Sequence, residues 1–139
     1  MIRLLIMLAA STFLLMGTAH GVLTLRDLGN PAAFTPDAAL RQAMQSSSIQ
    51  LSRSINLWRA WLGFNLTHSL GLVLFGAAFL YVGASAPAVF VTSLPLQTIA
   101  VLVSGIYLVL SLVFFFSTPA IGSAIGLACF LLAAGLPRL

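Results

Sequence analysis

Apolar residues fall into four long blocks along this chain, and most of the polar residues that separate them are gathered in one place. The blocks run from Leu4 to Leu25, Trp58 to Val82, Leu94 to Phe116 and Ala120 to Leu136. At about 1.5 Å of rise per residue, such runs cross or nearly cross a hydrocarbon core of about 30 Å. Backbone immersed in lipid must satisfy its own hydrogen bonds, so continuous runs of this length predict helices. The expected fold is all-α: an integral membrane four-helix bundle, one domain over residues 1–139, with spans at 4–25, 58–82, 94–116 and 120–136. A connector, 26–57, lies outside the membrane.

The edges of the blocks carry their own signals. Asn56, Trp58, Arg59 and Trp61 open the second span and Tyr81 lies near its end, an arrangement that places aromatics and a snorkelling arginine at the two interfaces. Gly83-Ala84-Ser85-Ala86-Pro87 breaks that helix, and a short loop with Thr92, Ser93 and Pro95 leads into the third. Thr118 and Pro119 read as N-cap and first residue of the fourth span. So short a link makes the last two spans a tight antiparallel hairpin. The first block also has the layout of a signal peptide, with Arg3 before it and Gly17 and Ala19 ahead of a cut at His20. Its apolar character continues through Val22, Leu23 and Leu25, so an uncleaved helix is expected.

The connector holds Arg26, Arg41, Arg53, both aspartates and Ser46-Ser47-Ser48. Thr35-Pro36-Asp37 reads as an N-cap, an N1 proline and an acidic first turn. The helix it opens places Leu40, Ala43, Met44 and then Leu51 along one side. Such a short amphipathic helix either lies on the membrane surface or forms part of a solvated link.

Composition narrows the class. Hydrophobic residues make up 60% of the chain and charged residues 6%, against about 25% charged in soluble domains, and the mean hydropathy is +1.12. Lipid must therefore solvate much of the surface. The net charge of +4 comes from six arginines against Asp27 and Asp37, with neither Lys nor Glu present. Scattered singly, these arginines do not form the track that nucleic acid requires, and none is expected as a partner. Cys129 alone cannot form an internal disulfide or a cysteine-based metal site.

Candidate chemistry sits where polar groups enter the apolar blocks, because they are costly there. On a helical wheel Trp61, Asn65 and His68 share one stripe of the second span, with Ser69 at its edge. Gln97, Ser104 and Ser111 recur every seven residues in the third, close to Tyr107. Counting depth from the interface pairs Asn65 with Ser111 and His68 with Tyr107, and places Gly126 near the His68 layer. The same count puts His20 near the membrane surface, at least a turn away from His68 in depth, which argues against a haem between the two. No carboxylate or second cysteine accompanies His68 in a span, so no metal site, catalytic residue or cofactor is expected. Gly17 with Gly21, and Gly122 with Gly126, fit the close-approach pattern of packed membrane helices. The Gly122 face is expected to meet the first span or a second chain, while Phe114-Phe115-Phe116 turns to lipid.

The stretch Asn56-Leu57-Trp58-Arg59-Ala60-Trp61-Leu62-Gly63-Phe64-Asn65-Leu66-Thr67-His68-Ser69-Leu70-Gly71 resembles a motif of small, uncharacterised bacterial four-span membrane proteins. The resemblance covers the end of the connector and the second span. It implies a bacterial inner-membrane protein and carries no activity with it.

Two function classes remain in view. One is a non-enzymatic accessory, assembly or scaffold component that packs through its helices on the bilayer side against a membrane-protein partner or a second copy. The other is a small-molecule or ion pathway, or a membrane enzyme, built on Asn65, His68, Tyr107 and Ser111. Positive charge is greater on the connector side, which places the connector in the cytoplasm. Four spans put both termini on the opposite side. Cysteine labelling from either face of the membrane should therefore report the two termini together, and termini on opposite sides would contradict the span count.

Overall fold

In the computed structural model, which describes residues 1–29 and 37–136, the chain is all-α apart from one small hairpin. Its elements are α1 (Ile2–Gly29), α2 (Ala38–Ser46), β1 (Ser48–Ile49), β2 (Ser52–Asn56), α3 (Leu57–Ser85), α4 (Pro87–Thr92), α5 (Leu94–Phe114) and α6 (Ser117–Gly135). The helices α1, α3, α5 and α6 are long and apolar enough to cross a membrane. The chain is thus a membrane protein with a four-helix arrangement and an amphipathic helix in its connector. Two compact units are distinguished, Met1–Met16 with Leu72–Leu139, and Gly17–Gly71; α1 and α3 contribute to both.

Most boundaries move outward from the apolar blocks, since helical hydrogen bonding does not stop where hydropathy falls. α1 continues through Arg26 and Asp27 to Gly29. α6 begins at Ser117 with Phe116 as its N-cap, so Thr118 and Pro119 lie inside its first turn rather than at N-cap and N1. Proline is tolerated there because first-turn N–H groups have no partner within the helix. The link before α4 is short, and the expected loop after it is largely helical. Pro87 starts α4, and Ser93 caps α5 with its hydroxyl oxygen accepting from the Leu96 N–H at 3.4 Å. Gln97, 6% exposed, donates from its amide to the Phe90 and Val91 carbonyls at 3.0 and 2.8 Å. Those carbonyls end α4 and would otherwise be unpaired in an apolar setting.

In the unit formed by 1–16 and 72–139, the core is aromatic and small-residue packing together. Phe13, Phe75, Phe79, Phe90 and Phe130 form a connected group, with ring centroids 5.1 Å apart for Phe13–Phe75 and for Phe79–Phe130. α5 and α6 pack along each other, and small residues are buried on both, Ala100, Ser104 and Ser111 on α5 and Ala120, Ser123, Gly126 and Ala133 on α6. The helices α1 and α3 approach at backbone distance. A Cβ placed at Gly76 would fall 2.5 Å from the Leu14 nitrogen and 2.8 Å from the Ala10 carbonyl oxygen, and one at Gly83 would fall 3.0 Å from Ile6 and Met7 side chains. Gly122 faces the flexible end of Met16 and the Thr12 methyl, and Gly126 faces the Phe13 ring too closely for a side chain. Phe114, Phe115 and Phe116 are exposed at the end of α5, as expected of lipid-facing residues.

In the unit 17–71, the connector has more structure than its sequence announces. The cap of α2 is Asp37, whose carboxylate accepts from the Ala39 and Leu40 N–H groups at 2.8 and 3.2 Å. Thr35 and Pro36, read as N-cap and N1, lie outside the described residues. Because α2 ends at Ser46, Leu51 does not extend its apolar side. It lies instead in the two-residue turn between β1 and β2, an antiparallel pair with Ser48 opposite Asn56, Ile49 opposite Ser52 and an irregular register between them. Asn56 then caps α3, its side-chain oxygen accepting from the Arg59 N–H at 2.9 Å.

Gly76→Leu should destabilise the protein, since overpacking costs about 1–3 kcal/mol even where side chains can shift and here backbone stands in the way. Gly105→Ala, at a position with no neighbour within 4 Å, should be neutral or mildly stabilising by helix propensity. Cys129 is free and buried, so the temperature at which it reacts with a fluorogenic maleimide in detergent measures both effects.

Candidate functional site

The spans' strongest concentration of hydrogen-bonding side chains lies in the unit 17–71, where α1 and α3 face each other. On α1, His20, Thr24 and Asp27 follow at helical spacing and project on one side; Thr24 and Asp27 are fully buried. On α3 the corresponding face carries Trp58, Leu62, Asn65 and Ser69. A side-chain pair joins the two faces: His20 Nε2 and Asn65 Oδ1 are 2.9 Å apart. The Asn65 amide nitrogen donates to the Trp61 carbonyl at 2.8 Å. That second bond fixes which end of the amide is oxygen, so His20 donates from Nε2.

Local hydroxyls reinforce the cluster without leaving it. Thr24 donates to the His20 carbonyl at 2.9 Å and Ser69 to the Asn65 carbonyl at 2.8 Å. Each satisfies its own polarity within a helix, which is the inexpensive solution in lipid. Gly21 lies against Ser69, its built Cβ 3.4 Å from the serine Cβ. The imidazoles of His20 and His68 meet edge to face with centroids 5.4 Å apart, and Phe64 lies parallel to His68 at 6.5 Å. At the entrance to α3, Trp58 and Trp61 stack at 5.3 Å.

The structure corrects the depth count for His20. Because α1 runs to Gly29, His20 lies about 14 Å from the end of its helix at 1.5 Å per residue, close to the roughly 16 Å of His68 from the start of α3. Matched depth does not make a haem site, however, because the edge-to-face contact occupies the space a porphyrin would need between the rings. Among the described residues, no group of three or more His, Cys, Asp or Glu gathers as a metal site.

The remaining candidates divide by unit. Asn65 and His68 belong to the cluster just described, with His20, a residue the sequence stripes left out. Tyr107 and Ser111 lie in the other unit, Tyr107 with its ring 5.9 Å from Phe13 and Ser111 buried. Of the glycines, Gly17 is buried on α1, Gly21 adjoins Ser69, and Gly122 and Gly126 lie against α1. A groove of about 260 Å³ beside α5 and α6, lined by Leu94, Gln97, Thr98, Val101, Leu102 and Ala134, carries no ionisable group. Comparison with known protein families, curated proteins and solved structures finds no match.

Replacing His20 by Leu, Asn65 by Leu, and both together should show coupling of about 0.6 kcal/mol and at most about 1.7 kcal/mol, the range measured for hydrogen bonds between membrane helices. Thermal unfolding in detergent of the four proteins measures it. Additive losses would mean that the pair does not hold the helices together.

Proposed function

We propose that this protein is a non-enzymatic membrane component, an accessory, assembly or scaffold subunit that acts by presenting helix faces to a partner in the bilayer. The observation that carries the reading is the His20–Asn65 bond, with Asn65 further tied to Trp61. It commits deep polar groups to holding α1 on α3. What is left for interaction is the apolar exterior, such as Leu8, Leu74, Leu102 and Ile125, one exposed position on each long helix. The partner is a second copy or another membrane protein, and the compartment is a bacterial inner membrane. The resemblance of the α3 motif supports that location, as does a basic complement made only of arginine, in keeping with a GC-rich genome.

The pair of imidazoles at 5.4 Å favours a second reading, a small-molecule or ion pathway or a membrane enzyme, because protonatable groups within a span commonly serve transport or chemistry. The two readings make different demands. A photo-crosslinking residue at Leu8, Leu74, Leu102 or Ile125 in native membranes should give a discrete protein adduct from at least one face. Lipid adducts alone from all four, together with proteoliposome proton flux that disappears on His68→Leu, would overturn the first reading in favour of the second.

A further inference from the structure

The helix α2 is amphipathic yet buries none of its residues: Leu40 and Ala43 are exposed and Met44 is half-buried. Nearby in sequence, Leu51 at the hairpin turn is 98% exposed. Uncovered apolar faces on a polar connector call for an occupant, and the position of this one limits the choice. The carbonyl of Ser47, the C-cap of α2, accepts a 2.8 Å bond from the N–H of Leu57, the first residue of α3. The end of α2 is thereby fixed to the point where α3 begins. That point is marked as an interface by the Trp58–Trp61 stack and by Arg59.

Charge points the same way. Arg26, Arg53 and Arg59 are exposed around this connector. Of the two acids, Asp27 is buried and Asp37 accepts the N–H groups of its own helix. The outward field is therefore cationic, complementary to anionic phospholipid. Tethering at both ends, by α1 and α3, holds the connector beside the leaflet and removes the cost of recruiting it from solution.

We infer that α2 lies in the lipid headgroup layer with Leu40, Ala43 and Met44 turned toward the acyl boundary, while Arg53 and Arg59 bind the phosphates of anionic lipids. The arrangement is that of an interfacial helix, whose binding combines apolar burial with attraction to anionic headgroups. It is independent of which protein, if any, meets the spans.

The test uses the full chain in nanodiscs, with Leu40→Cys in a Cys129→Ser background carrying an environment-sensitive fluorophore. Discs contain phosphatidylcholine alone or mixed with phosphatidylglycerol. The label should be quenched by brominated lipid and shielded from aqueous iodide, more so with phosphatidylglycerol. The ratio of shielded to accessible label should fall about fivefold for each of Arg53→Gln and Arg59→Gln in the anionic discs. Both substitutions alter exposed side chains, and the thermal reactivity profile of a Cys129-containing parent checks that they fold. A label open to iodide in both lipid mixtures would overturn the inference in favour of a solvated connector. Shielding that appears only when a protein co-purifies would overturn it in favour of a protein partner.

Discussion

Close approach between α1 and α3 is the constraint on which the rest depends. Dispersion and hydrogen bonding, rather than the hydrophobic effect, must hold helices together in lipid, and both fall away rapidly as backbones separate. The buried face of α1 repeats every seven residues, through Ile6, Phe13, His20 and Asp27 and through Ala10, Gly17 and Thr24. On α3 the corresponding series are Trp58, Asn65, Leu72 and Phe79, and Leu62, Ser69, Gly76 and Gly83. A spacing of seven keeps the same face toward a neighbouring helix over many turns. Small residues in these series permit contact, and the larger ones fill the space beside it.

Along these repeats the chemistry changes while the spacing does not. In one unit the positions are Ile6, Phe13, Leu72 and Phe79, an apolar and aromatic core. In the other they are His20, Thr24 and Asn65, which make hydrogen bonds, and the buried Asp27. A hydrogen bond between spans adds modestly to stability, but it also specifies register, since a slipped helix would leave His20 or Asn65 without its partner in lipid. Packing through Gly76 and Gly83 supplies proximity, and His20 with Asn65 supplies alignment.

Much of this was legible from hydropathy because lipid imposes a coarse rule that long apolar runs obey. The four spans, the amphipathic α2 and the exposed Phe114–Phe116 end follow from it. Less legible were features governed by local geometry. The hairpin of β1 and β2 has a Gln50-Leu51 turn without glycine, asparagine or aspartate, and its serine-rich strands do not alternate strongly, so neither of the usual signals was present. Gly76 and Gly83 escaped a search for glycines four apart because their spacing is seven. The His20–Asn65 pair escaped a pairing of polar stripes confined to the second and third spans, and a depth count that ended α1 at Leu25 hid the His20–His68 contact; the signal available was the seven-residue series joining His20 to Phe13 and Asp27.

Disulfide trapping in native membranes tests the α1–α3 register most directly, with Cys129→Ser as background. At Gly83 a built Cβ lies 3.3 Å from the Ile6 Cβ, and at Gly21 one lies 3.4 Å from the Ser69 Cβ, near the separation that a disulfide spans. Paired cysteines replacing Ile6 with Gly83, and Gly21 with Ser69, should each oxidise rapidly within a single chain. A chain in which neither pair closes, or in which both close only between two copies, would contradict the account.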